Sequence, residues 1–447
     1  MLNLTVAKFG GTSVANYQAM VRSANIVLKN PATKLVVVSA CSGVTNILVQ
    51  LSSGKVNEES SQHLIKKLEN IHTDIIEKIS TTSDLNAKLS EHLNSLKLLV
   101  EEINSQYSKI LVDQIVSYGE VLSSLLFTEI LKELKAQSYC FDVRKVMKTN
   151  NSYGQAKPNL ELIKTLTTSH LKPLLTDHIV VTQGYIGSFG NTTTTLGRGG
   201  SDFSAALLAE SCSADVLEIW TDVPGMYTTD PRLTNKARPI EEISFSEASE
   251  MANFGAKILH PSTLIPAIRK NIPVFIGSSI SSNEKGTWIK ESVDSSPLFR
   301  AVTLRKNQTL ITLHSLKMFQ AYGFLAEVFN ILARHKISVD LVTTSEVKIS
   351  LTLDNLSTAN EAPNIPSEAL KELEELCKVE IEQNYSLVAL IGNRISQTNG
   401  ANKKVFNALK DYTLRLICYG ASPHNMCFLV KENVAKEIVN TLHNELF

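Results

Sequence analysis

Short apolar runs alternate with amphipathic stretches along the first 280 residues of the chain. The apolar runs lie at residues 4–7, 34–39, 139–143, 178–183 and 216–220. The run at 34–39 is apolar on both faces, which is typical of a parallel strand covered by helices. Helical spacing follows at 17–28 and 202–210, and two more helical patterns within 62–108 are separated at 80–84. This alternation predicts an α/β domain with a helical hairpin on its core.

The alternation stops at residues 278–296, which are rich in Ser, Gly and charge and show no apolar period. We place a domain boundary in this stretch, because such composition is typical of a connection between domains. The prediction is one α/β domain over 1–290 and a second region over 299–447.

The second region contains an internal repeat with a constant offset of 77 residues. TLITL at 309–313 aligns with SLVAL at 386–390, and VFN at 328–330 aligns with VFN at 405–407. Each copy is predicted to run strand, Gly, helix, strand, strand, helix, so the unit is βαββαβ-like.

The second copy ends before its last strand, and the apolar run at 299–305 could supply that strand. The first copy would then span about 307–383, and the second about 384–447 plus 299–305. We therefore expect the two copies to be interleaved along the chain.

Composition and charge narrow the class of protein. The 447 residues carry 44 basic and 44 acidic side chains, and 43% of the residues are apolar. Balanced charge indicates no nucleic-acid or anionic-membrane surface. The N-terminus lacks a cleavable signal, and no run approaches about 18 apolar residues, so we expect a cytoplasmic protein. Six scattered cysteines without a C-x-x-C pair are expected to be free thiols.

Two glycine clusters each place a cation beside a predicted helix start. KFGGTS at 8–13 puts Lys8 at a strand end, followed by Gly10 and Gly11, whose amides could approach an anion. LGRGGSD at 196–202 also opens a helix and carries Arg198. This chemistry suits a polyphosphate, although neither cluster is a Walker loop and a single Gly-Gly pair also fits a plain turn.

A third cluster, TDVPGMYTTDPR at 221–232, follows the strand that ends at Trp220. Loops beyond the carboxyl ends of parallel strands are where open α/β sheets bind ligands. An ordinary Pro-Gly turn is the alternative interpretation of this cluster.

Together these motifs resemble the aspartate kinases, of the monofunctional, lysine-sensitive kind. The three clusters, SYGE at 117–120 and FGAKILHP at 254–261 all match motifs of that family in order and spacing. The repeat resembles paired ACT domains. The resemblance implies an α/β fold with an amino-acid-kinase-type sheet sandwiched by helices, followed by two interleaved ferredoxin-like ACT domains. It also implies transfer of the ATP γ-phosphoryl group, with Mg²⁺, to the side-chain carboxylate of L-aspartate. The product would be 4-phospho-L-aspartate, in the first step of the aspartate-family pathway.

The resemblance implies roles for the residues that match its motifs. Lys8 and Asp202 would act at the transferring phosphoryl group. Arg198 would bind the α-carboxylate of aspartate and Glu120 its α-ammonium. The full aspartate-binding set would be Ser39, Thr45, Glu120, Arg198 and Ser201. The ATP-binding set would be Lys8, Gly10, Gly11, Ser13, Thr221, Asp222, Tyr227, Arg232 and Lys257. No residue is assigned as a metal ligand.

Several of these residues have plainer alternatives. Asp202 also fits a helix N-cap, and Glu120 fits a solvated charge at a helix start. Thr45 fits a loop cap, and Lys257 fits a surface lysine.

The ACT pair implies an amino-acid effector site, and a homodimer formed through the ACT domains. Asp340 and Glu346 of the first copy correspond to Ile417 and Pro423 of the second. Two carboxylates suit a ligand with two amines, namely L-lysine as inhibitor. By resemblance the site is lined by Met318, Gly323, Phe324, Leu325, Val339, Asp340, Ser345 and Glu346. A solvent-facing turn with helix caps is the alternative.

Two other functions remain open at this point. Acetylglutamate, glutamate and uridylate kinases are thought to share the catalytic fold, so another acceptor is possible, although the tandem ACT region argues against it. A catalytically silent amino-acid sensor would keep the ACT pair, but the intact Lys8, Arg198 and Asp202 disfavour it.

Overall fold

The computed structural model describes residues 3–80, 83–255, 259, 261–315, 322–353 and 363–447. The chain forms two compact units. Unit 1 contains Met1–Met226, Ile240–Phe245 and Lys257–Val293, and unit 2 contains Tyr227–Pro239, Ser246–Ala256 and Asp294–Phe447.

In chain order, the strands are β1 (Thr5–Phe9), β2 (Thr33–Val38), β3 (Ser138–Phe141), β4 (Ile179–Gln183), β5 (Ile186–Phe189), β6 (Thr192–Thr195), β7 (Val216–Thr221), β8 (Glu242–Ser244), β9 (Val274–Ser278), β10 (Thr287–Lys290), β11 (Ala301–His314), β12 (Val339–Thr344), β13 (Lys348–Leu353), β14 (Lys378–Ile391), β15 (Leu416–Tyr419) and β16 (Asn425–Lys431). The α-helices are α1 (Tyr17–Lys29), α2 (Val44–Leu51), α3 (Glu58–Ile76), α4 (Ser83–Ser105), α5 (Lys109–Glu133), α6 (Leu160–Leu166), α7 (Gly200–Cys212), α8 (Phe245–Asn253), α9 (Pro261–Lys270), α10 (Phe324–Arg334), α11 (Ser367–Leu376), α12 (Ala401–Ala408) and α13 (Glu432–Leu446).

Unit 1 is built on an eight-stranded sheet with the order β3-β4-β2-β1-β7-β9-β10-β8. Strand β1 lies in its middle, parallel to both β2 and β7, and all five of its residues are buried. The carboxyl ends of these three strands therefore meet at one edge of the sheet, where α/β proteins bind ligands. The predicted sheet covered by helices is confirmed, as is the helical hairpin formed by α3 and α4.

Helix α5 is the central helix of unit 1. It is long and apolar enough to cross a membrane, but 67% of its most apolar window is buried inside the protein. Phe127 of this helix stacks on Phe9 of β1, with ring centroids 5.7 Å apart. Its apolar character is therefore explained by packing in a protein core. Two carboxylates, Asp113 and Glu120, are buried on it.

Two strand pairs in unit 1 were not predicted from the sequence. Strands β5 and β6 form an antiparallel hairpin just before the 196–202 cluster. Strand β10 lies inside the stretch taken as a domain boundary and pairs antiparallel with β9. Only four residues long, it is too short to show a period in sequence.

Unit 2 is built on a six-stranded sheet with the order β12-β13-β11-β14-β16-β15. The first part of the long strand β11 (Ala301 to Arg305) pairs with the last part of β14. That part of β14 also pairs with β16 on its other side. After a register shift, the rest of β11 pairs with the first part of β14 and with β13.

Each half of this sheet has its own apolar core. Val302 and Phe428 belong to one core, and Ile311 and Leu351 belong to the other. The strand before the first repeat thus completes the second one, which confirms the predicted interleaving.

The units do not follow a single cut of the chain. They part at Val293 and Asp294, inside the predicted boundary stretch, but unit 2 also contains two earlier segments. Val302 N–H donates to Thr228 O at 2.7 Å, and Arg300 forms a buried ion pair with Glu247 at 3.1 Å. The predicted domain over 1–290 therefore differs from unit 1, because these contacts hold two of its segments in unit 2.

Candidate active site

A buried ion pair stands at the carboxyl edge of the central sheet of unit 1. Lys8 is on β1 and 8% exposed, and its Nζ lies 2.5 Å from Oδ1 of Asp202. Asp202 lies in the first turn of α7, which packs against β1. A Cβ added at Gly10 would lie 3.5 Å from Lys8 Nζ, so the ammonium lies beside glycine backbone. The structure thus brings together the two residues predicted to act at the phosphoryl group.

The KFGGTS turn differs in detail from the predicted anion cradle. Gly10 N–H donates to Trp220 O at 3.0 Å, so this amide ties the turn to β7. The hydroxyl of Ser13 is buried and shares a hydrogen bond of 2.7 Å with Ser279. The Gly10 amide and the Ser13 hydroxyl therefore make contacts within the protein, and their phosphate contacts stay a prediction. The turn continues into a short 3₁₀ helix, Gly11–Val14, before α1 begins.

Glu120 is buried in the middle of α5 and is 4% exposed, so it is not the solvated charge of the alternative interpretation. Its Oε1 accepts a hydrogen bond from Ala40 N–H at 3.2 Å, and within the described residues its Oε2 has no hydrogen-bond partner. Burial raises the pKa of Glu120 to about 8, although amide hydrogen bonds and the charge of Lys8 oppose this shift. A cationic partner at Oε2 would favour the charged form of this carboxyl group.

The loop after β2 reaches Glu120 because Gly119 has no side chain. A Cβ at Gly119 would lie 2.6 Å from Ala40 Cβ, closer than real Cβ contacts. Ser39 O in this loop accepts a hydrogen bond from Ser123 of α5 at 2.7 Å. Thr45 follows in the first turn of α2 and is exposed. Ser39 is thus fixed on α5, near Glu120 in the same helix.

The GRGGSD loop carries the other predicted acceptor residues. Arg198 is exposed on this loop, and Ser201 stands next to Asp202 at the start of α7. A Cβ at Gly184, after β4, would lie 2.7 Å from Ser201 Cβ and 2.8 Å from its Cα. The loop therefore sits directly on the carboxyl end of β4.

The predicted nucleotide residues fall in both units. Thr221 ends β7 in unit 1 and Asp222 follows it, and the Thr221 hydroxyl donates to Asp222 Oδ1 at 3.1 Å. Tyr227 and Arg232 belong to unit 2, and Arg232 is 85% exposed and pairs with Asp230 at 2.7 Å. Lys257 lies outside the described residues. The nucleotide set stays a prediction.

The predicted effector residues belong to the first ACT repeat in unit 2. Gly323, with φ +89°, precedes α10, whose first residues are the buried Phe324 and the exposed Leu325. Val339 and Asp340 begin β12, and Ser345 and Glu346 are exposed on the turn after it. Met318 lies outside the described residues.

Two residues of interest were missed by the sequence analysis. Arg305 of β11 forms an ion pair with Asp340. Asp113 of α5 accepts hydrogen bonds beside the GRGGSD loop. A lone acid within the apolar run ILVDQIV was a signal for Asp113, because an acid in a buried helix needs a partner. No sequence signal distinguished Arg305 from a surface arginine.

Comparison with known proteins defines the class. Residues 3–278 match the amino acid kinase family, and residues 388–446 match an ACT domain. With the central sheet and the buried Lys8–Asp202 pair, this shows that the chain belongs to the amino acid kinase family.

Within that family the chain belongs to the aspartokinases. It is 49% identical to lysine-sensitive aspartokinase 3 of Escherichia coli, over 100% of each chain. The crystal structure of E. coli aspartokinase III with aspartate and ADP matches with a TM-score of 0.91, covering 99% of this chain and 100% of that one. The structure of the same enzyme with lysine and aspartate matches with a TM-score of 0.85, covering 100% of both.

Proposed function

We propose that this protein is a cytoplasmic aspartate kinase that transfers the γ-phosphoryl group of ATP to the β-carboxylate of L-aspartate, giving 4-phospho-L-aspartate. The observation that carries the proposal is the buried Lys8–Asp202 pair at the carboxyl edge of the sheet. Full-length identity of 49% to a lysine-sensitive aspartokinase supports aspartate as the acceptor and L-lysine as the inhibitor.

The pair suits phosphoryl transfer. Such a reaction depends on positioning and on neutralising the oxygens of the transferring group more than on covalent chemistry. Lys8 would supply the positive charge, and its ion pair with Asp202 would orient the ammonium group before ATP binds. Because Lys8 is buried, its charge would act on the phosphates with little screening by water.

Mg²⁺ would enter with ATP. Across the described residues, no group of three or more His, Cys, Asp or Glu side chains could hold a metal ion. This fits Mg²⁺, which commonly binds through substrate phosphates and only one or two carboxylates. Asp202, beside Lys8, is the carboxylate that would take this role.

The acceptor would be held by the two charged groups on its α-carbon. Glu120, with its Oε2 available, would bind the α-ammonium, and Arg198 would bind the α-carboxylate in a bidentate manner. Ser39, Thr45 and Ser201 would add hydroxyl contacts. The β-carboxylate would then point toward Lys8 and the phosphates.

Regulation would reside in the first ACT repeat. Its carboxylates Asp340 and Glu346 have no counterpart in the second repeat, where Ile417 and Pro423 stand. Two carboxylates would meet the two amines of L-lysine. We place the effector site there, in a homodimer that forms through the ACT domains.

A hydroxamate-trapping assay tests the proposed reaction, because hydroxylamine captures an acyl phosphate as a stable hydroxamate. The acceptors are L-aspartate, L-glutamate and N-acetyl-L-glutamate, each with ATP and Mg²⁺, and ADP release is measured in parallel. We expect hydroxamate and ADP in equal amounts with aspartate, and neither product with the other two acceptors. A higher rate with another acceptor would replace the assignment, and no ADP with any acceptor would indicate a sensor.

A further inference from the structure

Asp113 is a fully buried carboxylate that the proposed reaction does not use. It lies on α5 with 1% of its surface exposed. Its Oδ2 accepts hydrogen bonds from the N–H groups of Thr195 at 2.8 Å and Gly154 at 3.0 Å. Its Oδ1 accepts a third from the Thr195 hydroxyl at 2.9 Å. A carboxylate moved out of water needs such partners, and here Thr195 at the end of β6 and Gly154 in a loop supply these three.

These bonds fix Thr195, the residue just before the LGRGGSD cluster (196–202) that carries Arg198. Thr195 ends β6, and its carbonyl accepts a hydrogen bond from Ala156 N–H at 2.8 Å. Asp113 holds the amide and the hydroxyl of the same residue. Thr195 is thus held from both sides, one residue before the loop.

Tyr185 holds the same loop further along. Its carbonyl accepts a hydrogen bond from Leu196 N–H at 2.9 Å, and its backbone is left-handed, with φ +68°. A Cβ at Gly200 would lie 2.7 Å from the Tyr185 ring. The residues that carry Arg198 are therefore fixed at both ends, by Asp113 and by Tyr185.

We call the hydrogen bonds that Asp113 accepts from Thr195 and Gly154 the clamp. Helix α5 connects this clamp to Glu120. Asp113 and Glu120 are seven residues apart, which is two turns and a rise of about 10.5 Å along a helix. One binding group of the proposed substrate site, Glu120, is a side chain of α5. The other, Arg198, is on a loop attached to α5 by Asp113.

We propose that Asp113 is a positioning residue, which sets the distance between Arg198 on its loop and Glu120 on α5 to the spacing of the α-carboxylate and α-ammonium groups on the α-carbon of L-aspartate. The inference rests on the proposed function. Removing the clamp would leave each binding group intact but misplaced, and misplacement by about 1 Å is costly in such sites.

The chemistry of the clamp provides a conservative variant. Burial raises the pKa of Asp113, while its three hydrogen bonds lower it in part. An asparagine amide oxygen can accept both backbone N–H groups, and its NH₂ group can donate to the Thr195 hydroxyl. Asp113→Asn should therefore keep the clamp without the charge, whereas Asp113→Ala removes it.

Steady-state kinetics of both variants test the inference, with Thr128→Val as matched control. Thr128 is also buried on α5, but its hydroxyl donates to Ser124 O within the helix. We expect Asp113→Ala to raise the KM for aspartate about tenfold or more, because a misplaced Arg198 would lose its hydrogen bonds to the charged α-carboxylate of aspartate. Asp113→Asn and the control should stay within about threefold of wild type, as should the KM for ATP in all three.

A second readout does not depend on activity. Trypsin cleavage after Arg198, followed by mass spectrometry, reports the freedom of the loop. We expect faster cleavage in Asp113→Ala than in wild type, Asp113→Asn or Thr128→Val. If Asp113→Ala does not fold, Thr195→Val takes its place, because it removes the hydroxyl bond to Oδ1 and keeps the N–H bond to Oδ2.

The outcomes separate the inference from the proposed function. If wild type makes no aspartyl hydroxamate, the function fails, and the cleavage rates alone decide whether Asp113 holds the loop. If wild type is active and the alanine variant keeps its aspartate KM and cleavage rate, the positioning role is overturned. Equal increases in both KM values would also overturn it, because they would indicate general damage.

Discussion

A lysine ammonium and a carboxylate 2.5 Å apart, both largely removed from water, form the chemical centre of unit 1. Breaking a buried pair by removing one partner leaves the other charge uncompensated, which is costly. In the structure the two charges compensate each other. We expect incoming phosphate oxygens to replace the carboxylate as the partner of Lys8.

Lys8→Ala should lower kcat by a factor of about 10² to 10³, because the ammonium stabilises charge that develops during transfer. The KM for aspartate should change less. Initial rates of hydroxamate formation give both constants, with Lys34→Ala on the neighbouring strand β2 as the control. Near-normal kcat in Lys8→Ala would remove this residue from the mechanism.

The KM for aspartate should depend on pH through Glu120. In the free enzyme its pKa is about 8, so below this pH the carboxyl is mostly protonated and must lose its proton to bind an ammonium group. The KM should therefore fall as pH rises toward 8 and level off above it. Measuring KM between about pH 6 and 9 checks this, with the KM for ATP as internal control.

Glu120→Gln is the matched variant for this pH dependence. Its amide keeps an oxygen for Ala40 N–H but carries no charge at any pH. It should raise the KM for aspartate and abolish the pH dependence. Persistence of the dependence in this variant would assign it to another group.

At the scale of elements, close backbone approaches position the site. The loop after β2 touches α5 at Gly119, and the start of α7 touches the end of β4 at Gly184. Neither contact leaves room for a Cβ, so each glycine is required by proximity. These two approaches position Ser39 beside α5 and Ser201 and Asp202 at the end of β4.

Gly184→Ala should displace the start of α7, because the new Cβ would overlap both Cβ and Cα of Ser201. Asp202 follows directly, so we expect kcat to fall by about tenfold or more. Gly190→Ala is the control: it strains a hairpin backbone at φ +56° but meets no atom within 4 Å. Equal losses in both variants would indicate that backbone strain, and not displacement, is responsible.

The sequence predicted those elements whose burial follows an apolar pattern. Strands β1, β2 and β7 were apolar runs, and the interleaved strand at 301–305 followed from the repeat offset. Strand β6 was missed because it reads TTTT: its buried threonines are accommodated by hydrogen bonds, such as that from Thr195 to Asp113. Burial through polar pairing leaves no hydrophobic period to detect.

The candidate site was predictable in part. The motif resemblance predicted that Lys8 and Asp202 act at the same phosphoryl group, and the structure places their side chains in contact. The use of the Gly10 amide by Trp220 was not predicted, because it depends on the pairing of distant strands. The other site assignments rest on motif resemblance and stay predictions until ligands are tested.

At the scale of the whole molecule, unit 2 contains more than the ACT repeats. Tyr227 and Arg232, implied in nucleotide binding, lie in a segment that belongs to it. Arg305 forms an ion pair with Asp340 and also donates to Asn253 O at 3.3 Å, at the end of α8. Within unit 2, a predicted effector residue and the end of α8 thus both contact the side chain of Arg305.

Glu346→Ala should weaken inhibition by lysine without harming catalysis. A ligand inhibits at a distance only through different affinities for two states, a coupling that typically changes affinity by about 5- to 150-fold. Losing most of this coupling should raise the lysine concentration for half-inhibition by a factor in that range. Glu368→Ala, an exposed acid on α11 of the same repeat, is the control.

The rate of aspartyl hydroxamate formation, measured against L-lysine concentration for wild type, tests the central claim most directly. We expect a rate that requires both ATP and aspartate, that falls as lysine increases, and that L-threonine and L-methionine leave unchanged. Glu346→Ala, measured beside it, should show the same uninhibited rate. Absence of hydroxamate would contradict the catalytic assignment, and a rate unaffected by lysine would contradict the regulatory one.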